Sequence, residues 1–473
     1  MAGSIAAALY YALVVVAVIL AVVRNRETAA ALAWSLAIVF LPVVGILAFF
    51  AFGFTKEPRR LRRKRIQLRR FRERHPGVDA PRPPVEARPR AVGWASLGRV
   101  AEELTGFPLR EGNRVVLHTS GKAAFDAIFE AVERAERHVH VLMYIFRHDR
   151  LGKSLLDLLV KKARAGVRVR LLIDAVGSLG AWYSVRRLRR AGGEGAIFGP
   201  LHFLNRWFTL NFRNHRKIIV CDGHAGFFGG LNVGDEYLGD AVLDRDWYDA
   251  HFEAYGPVVR DLQYLFVEDW DFATGQTLPL EAPGDVAAKG PSTVQLVPGG
   301  PHQEIRAIRQ LYLDAISRAE ERLAIATPYF VPDASLRDAI RSAALRGVEI
   351  TMLQQGRPPD YWLTYFASQY FAEEILCENV RLFEYRDGMM HAKMVIADGR
   401  WAAVGSANFD NRSLRLNFEL VGLFEGAAEV QQIEACFREA LSRSREVRLD
   451  DDERRTWIWR LGMESARLLS PLL

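Results

Sequence analysis

The sequence predicts an α/β protein in which two pseudo-symmetric halves form one catalytic body, preceded by an N-terminal two-helix transmembrane hairpin. Three observations carry that expectation. One polar phrase is written twice, helix-then-strand units recur around both copies, and two long uncharged runs open the chain.

From the N-terminus, Ile5 to Val23 is uncharged and about 28 Å long as a helix, close to the hydrocarbon thickness of a bilayer. A link from Arg24 to Thr28 leads to a second uncharged run, Ala29 to Phe54. Pro42 and Gly45 interrupt it, as membrane helices tolerate. A cleaved signal peptide is the competing reading of the first run, but no basic region leads it and a second run follows at once. Lys56 to Arg74 then holds 11 basic residues against Glu57 and Glu73. Positive-inside bias puts everything after Phe54 in the cytoplasm, with the N-terminus. The same arginines suit anionic membrane lipid. The rest of the chain holds 52 basic and 54 acidic residues, so the body has no bulk electrostatic footprint for nucleic acid. Pro76, Pro81, Pro83, Pro84 and Pro89 mark an extended tether. The expected organisation is a hairpin over 1–55, a basic segment and linker over 56–94, and halves over 95–285 and 286–473. The seam is expected near Pro279 to Pro291. Cys221, Cys377 and Cys436 lack C-x-x-C spacing, which argues against a disulfide framework and a structural zinc site.

Within the body, Ser154 to Val167 corresponds to Ser335 to Val348, each an amphipathic helix stopping at Gly and entering a strand, Arg168 to Ile173 or Glu349 to Leu353. Upstream of each lies another such unit. In the first half it is Ala123 to Arg137 then Val139 to Phe146, and in the second Ile305 to Glu321 then Leu323 to Phe330. Alternation of this kind favours buried sheets with helices on their faces.

The repeated phrase is H-x-K-x4-D. His215, Lys217 and Asp222 are followed by Gly229, Gly230 and Asn232; His391, Lys393 and Asp398 by Gly405, Ser406 and Asn408. From His to Asn the spacing is 17 residues in both copies. One short motif is weak, but two with matched spacing are specific. Ile218 to Cys221 and Met394 to Ala397 read as strands closed by Asp-Gly turns. Alternation puts each His and Lys on one face, about 7 Å apart. A two-residue turn would set His215 opposite Gly230 and His391 opposite Ser406, where small residues let a phosphate oxygen approach.

Two such halves facing each other supply a histidine on either side of one phosphorus, one to attack and one to protonate the leaving oxygen. Lys217, Lys393, Asn232 and Asn408 suit the non-bridging oxygens. The ammonium groups make a divalent metal unnecessary, and no H-E-x-x-H or acidic ligand cluster is present. A nucleophilic histidine needs a carboxylate or carbonyl on its other nitrogen; Glu419 is the candidate for His391 and Asp249 for His215. For Asp222 and Asp398 a structural role in the turns competes with a catalytic one. His138 and His140 read as core histidines. The helix of Trp362, Tyr365, Phe366, Tyr370 and Phe371 reads as core before acyl-chain groove. Phe203, Trp207, Phe208 and Phe212 form a better lipid-access segment. Trp457 and Trp459 suit a membrane interface, which the sequence does not decide.

The double motif resembles that of the phospholipase D superfamily, and the chain resembles bacterial cardiolipin synthases along nearly its whole length. The matching stretches include Trp34…Pro42-x-x-Gly45…Phe52-Gly53, Tyr144-Ile145-Phe146…Asp149, Arg213 to Lys217, Gly229 to Asn232 and Asp235-Glu236-Tyr237. They continue through Pro328 to Pro332, Gly405 to Ser413 and Leu469 to Leu472. The resemblance implies two phospholipase D-like halves and a metal-free, cofactor-free transfer between two phosphatidylglycerol molecules. A phosphatidyl group passes to a histidine with release of glycerol; a second phosphatidylglycerol hydroxyl then takes it, giving cardiolipin. By analogy His215 is the nucleophile and His391 the acid, a ranking the near-symmetric halves do not supply. The implied place is the bacterial cytoplasmic membrane, multi-pass, with the body on the cytoplasmic side; the oligomeric state stays open. Leu142 stands where the family usually carries Glu, which puts protonation of the site in question. A hydrolytic phospholipase D is the first rival. A tethered nuclease fits poorly with the near-neutral body and the aromatics before the first motif.

Overall fold

The two apolar tetrapeptides beside the motifs form strands with the expected bounds, Ile218–Cys221 and Met394–Ala397. The computed structural model describes residues 2–24, 28–52, 93–199, 212–239, 246–280, 288–356, 362–376, 379–447, 456–468 and 470. The basic segment, nearly all of the proline-rich linker, Phe203, Trp207 and Phe208, Cys377 and the middle of the expected seam lie outside these residues.

The first half contributes β1 (Arg110–Ser120), β2 (His138–Met143), β3 (Arg168–Asp174), β4 (Glu194–Phe198), β5 (Ile218–Cys221), β6 (Ala225–Gly229) and β7 (Asp246–Tyr255). The second contributes β8 (Ser292–Gly299), β9 (Arg322–Ala326), β10 (Phe330–Val331), β11 (Glu349–Gln355), β12 (Val380–Tyr385) and β13 (Gly388–Met390). It continues with β14 (Met394–Ala397), β15 (Trp401–Gly405), β16 (Phe409–Asp410), β17 (Glu419–Phe424) and β18 (Ser444–Val447). Outward from the centre the first half runs β1-β7-β6-β5-β2-β3-β4 and the second β8-β17-β15-β14-β9-β11-β12, with β18 at the edge. The two orders are the same topology. β1 pairs antiparallel with β8, so one continuous sheet crosses both halves.

Strands buried on both faces read as apolar runs, which is why β5, β6, β14 and β15 carry almost no polar side chain. Each half has its own apolar cluster on one side of the sheet. A third cluster is shared, with Phe228 and Phe252 of one half packed among Val404, Phe418 and Phe424 of the other. The helix Ala95–Thr105 buries Leu97 and Ala101 in the second half's cluster, beside Val297 and Leu311.

The turns differ from expectation. Cys221 pairs with Ala225 and Ala397 with Trp401, so each loop has three residues, not two. Asp222 and Asp398 take positive φ, 56° and 52°, followed by Gly223 and Gly399 at 65° and 63°. Asp enters this region when its short side chain is held by hydrogen bonds. The longer loop moves the register facing His215 and His391 by one residue.

At the N-terminus, helices span Ala2–Arg24, Thr28–Phe40 and Pro42–Phe52. Ala17, Ala21, Ile38, Ile46 and Phe49 pack together, while Tyr11, Val15, Ile19, Phe40 and Val43 face outward. The described side chains of the first helix are Ala8 and Tyr10 to Val23. Among the described residues, no helix is long and apolar enough to cross a membrane.

Candidate active site

Each motif enters the site along the other half's sheet. The His215 amide donates to Phe418 O (2.8 Å) and Phe418 N–H to Arg213 O (2.9 Å). Symmetrically, β13 pairs parallel with β7, and the His391 amide donates to Tyr248 O (2.7 Å). The next residue on each receiving strand is the carboxylate. Glu419 Oε2 lies 2.9 Å from His215 Nδ1, and Asp249 Oδ2 lies 2.6 Å from His391 Nδ1. The expected partners are therefore exchanged: Glu419 serves His215 and Asp249 serves His391. The physical reason is the crossing of the motif segments onto β17 and β7, which sequence proximity within a half conceals. Both carboxylates are fully buried.

Lys217 Nζ donates to His215 O at 2.7 Å, and Lys393 Nζ to His391 O. The ring of Tyr144 meets His215 edge-on at 4.7 Å and lies 5.4 Å from Lys217 Nζ; Trp247 lies 5.2 Å from His391. The charges of the two halves act on one another. Burial chiefly lowers the His215 pKa, and Lys217 and Lys393 add to this against Glu419. His391 is pushed down to about 4 by burial, with Lys393 and Lys217 both contributing. Burial brings Lys217 down to about 7 and Lys393 to about 8, while Glu419 and Asp249 resist. Burial works to raise Asp249, but His391 and Lys393 outweigh it and hold it below the usual carboxylate range. Both imidazoles and both amines are thus held below their ordinary values within one electrostatic site.

Gly230 and Ser406 do not leave open gaps. A Cβ on Gly230 would fall 1.9 Å from Asp249 Oδ1, so glycine there makes room for the carboxylate. Ser406 Oγ donates to Glu419 Oε2 at 2.5 Å. Asn232 is engaged structurally: its Oδ1 accepts from Ile145 N–H (3.1 Å) and its Nδ2 donates to Tyr237 (3.1 Å). Asn408 is buried with Oδ1 lacking a hydrogen-bond partner among the described residues.

Asp222 and Asp398 stand at the far ends of β5 and β14, away from the histidines, in the turns that were the competing expectation for them. The Asp222 carboxylate accepts the backbone N–H of Glu136, Arg137 and His138; that of Asp398 accepts those of Glu320, Glu321 and Arg322. Each closes the helix-to-strand turn before β2 or β9.

Sequence reasoning missed the supports beneath the motif. Arg216 pairs with Asp269 at 2.8 Å and donates to Glu419 O (3.0 Å) and Gly299 O (3.1 Å), fully buried. Asn214 also reaches Asp269, at 3.0 Å. Asp174 at the end of β3 accepts the Asn214 amide (3.1 Å), and Gln355 at the end of β11 accepts the Met390 amide (2.7 Å). These bonds seat the residue before each histidine. No spacing in the sequence announces them. Leu142 lies in the apolar core, paired with Ile218. His138 and His140 are buried core rings, and His140 stacks on Phe266 at 4.5 Å. Among the described residues no group of three or more His, Cys, Asp or Glu is arranged to hold a metal ion.

A family model described as cardiolipin synthase, phospholipase D-like domain, matches residues 128–259 and 312–441, one match in each half. A phospholipase D-nuclease N-terminal model matches residues 12–53. The chain is 37% identical over 462 residues to the cardiolipin synthase of Geobacillus kaustophilus, covering 95% of this chain and 90% of that one. It is 38% identical over 464 residues to cardiolipin synthase A of Pseudomonas putida, covering 97% and 96%. Among solved structures, phosphatidylserine synthase from Haemophilus influenzae matches with TM-score 0.58 at 16% identity, over 80% of this chain and all of that one, a likeness of fold. Fold and site define a phospholipase D-type body with two H-x-K half-sites. The chain belongs to the bacterial cardiolipin synthase family of the phospholipase D superfamily, and is a phosphatidyltransferase of that type.

Proposed function

We propose that the chain joins two phosphatidylglycerol molecules into cardiolipin and glycerol through a phosphatidyl-histidine, without a metal ion. The observation that carries this reading is the crossed pair of buried histidine–carboxylate contacts, His215 with Glu419 and His391 with Asp249. With Nδ1 engaged, each imidazole has Nε2 left for chemistry. His215 Nε2 attacks phosphorus, the P–N bond forms, and the P–O bond to glycerol breaks as His391 gives that oxygen a proton. In the second step the hydroxyl of another phosphatidylglycerol loses its proton to His391 and attacks phosphorus, and the P–N bond breaks. Lys217 and Lys393 neutralise the non-bridging oxygens, the charge a metal would otherwise offset. Substrate anion raises the proton affinity of His391 and both lysines, so the first-step proton is taken up from solvent as the lipid binds.

The N-terminal helices are proposed as a membrane-spanning hairpin holding the body at the cytoplasmic face of the bacterial membrane. Support comes from the uncharged runs, the basic stretch after them and the N-terminal family match. Purified full-length protein in phosphatidylglycerol vesicles is expected to yield cardiolipin and free glycerol in equal amounts, and His215→Ala neither. Phosphatidic acid in place of cardiolipin would favour water as acceptor and overturn the transfer reading.

A further inference from the structure

The catalytic body carries apolar surface that its own packing does not use, and it occurs at matching places in both halves. In the first half the connection after β3 exposes Leu179 (82%) and Trp182 (61%), with Tyr183 beside them. In the second half the connection after β11 exposes Trp362 (54%) at the start of the helix Trp362–Ile375. The helix Trp457–Leu468 lies against that helix through Ala466 and Trp459, the latter ring 4.8 Å from Phe366. Its outward stripe is Trp457 (73%), Leu461 and Leu468.

Both patches spring from the strand ends that seat the histidines. Asp174 and Gln355 hold the residues before His215 and His391. Ser178, next to Leu179, accepts the Phe146 amide, and Ser368 accepts the equivalent Phe330 amide, both at 2.9 Å. The patches therefore leave the sheet at the same strand ends as the shared site. Arg186 and Arg190 are exposed, four and eight residues beyond Trp182 on the same helical face. Aromatic rings beside arginines on a body of near-zero net charge fit an anionic phospholipid surface.

We infer that these two patches are a second membrane contact: the body docks on anionic bilayer through Leu179, Trp182, Trp362 and Trp457, so that a headgroup passes from the lipid surface to the histidines without crossing water. The inference rests on the reading of the chain as a lipid transferase held at a membrane.

The test uses full-length protein in vesicles of equal parts phosphatidylglycerol and phosphatidylcholine, containing a phospholipid with a photoreactive diazirine in its acyl chain. Adducts mapped by peptide mass spectrometry are expected at 179–183, 362–363 and 457–461 as well as in the N-terminal helices. None is expected at Leu345, 89% exposed at the opposite end of the strands. Adducts confined to the N-terminal helices, or crosslinks at these residues to a second copy of the chain, would overturn the docking surface while cardiolipin output still reports on the transferase reading. As a second measurement, Trp182→Glu with Trp457→Glu should raise KM for vesicle-presented phosphatidylglycerol about tenfold. It should leave kcat on a monomeric short-chain phosphatidylglycerol unchanged; equal loss on both substrates would count against docking.

Discussion

Glu419 and Asp249 each orient a histidine from the other half, so removing either carboxylate should disable one partner alone. Glu419→Gln and Asp249→Asn are each expected to lower kcat by about 10²–10⁴-fold with the fold intact. A double-mutant cycle should couple Glu419 to His215 and Asp249 to His391, with near-additivity for the other two pairings. Coupling within each half would contradict the crossing. The lysines give a pH dependence of definite sign. Lys217 and Lys393 titrate at about 7 and 8 in the folded protein against 10.5 ordinarily, so between those values the unfolded chain binds more protons. Stability then rises with pH across that window, and the cost of burying both ammonium groups is fully present below about 7. His391, at about 4 against 6.5, adds a loss of stability as pH falls through that range. The urea midpoint should increase from neutral pH toward pH 10.5 and do so less in Lys217→Met/Lys393→Met. Inorganic phosphate binding at pH 8, near the Lys393 value, should take up protons, seen as a dependence of binding heat on buffer ionisation enthalpy. No uptake would contradict the electrostatic account.

At the scale of elements, the motif's final aspartates are turn closures. Asp222→Ala leaves three backbone N–H groups without their acceptor and should destabilise the protein by about 1–3 kcal/mol. Measured well below the melting temperature, kcat should stay close to wild type; a collapse of kcat with unchanged melting would restore Asp222 to the chemistry. Elements held by local pattern were legible in the sequence. β5 and β14 follow from apolar tetrapeptides, and the helix-strand units from Gly stops and amphipathic spacing. The three-residue loops were not, because Asp-Gly alone does not count loop residues and the positive φ of Asp222 depends on amides 84 to 86 positions away. The carboxylate partners were hidden for the same reason, lying 204 and 142 positions from their histidines.

For the whole molecule, the shared apolar cluster and the β1–β8 junction tie the halves into one unit. Phe252 sits 5.1 Å from Phe228 of its own half and 4.8 Å from Phe424 of the other. Phe252→Ala should cost about 3–5 kcal/mol and lower a single calorimetric transition of the body; two separate transitions would mean the halves fold independently. The duplication was readable from the repeated motif, whereas the continuous sheet was not, since β1 and β8 are joined by backbone pairing and an Asn113–Ser292 contact that no local pattern marks. The proposed chemistry needs two histidines serving one phosphorus. Rapid quenching of full-length protein with a phosphatidyl ester of 4-nitrophenol, whose leaving group departs without a proton from His391, followed by intact-mass and peptide analysis, tests it most directly. His391→Ala should trap one phosphatidyl group per chain, on His215, and His215→Ala none; adducts on both histidines, or two per chain, would contradict a shared site.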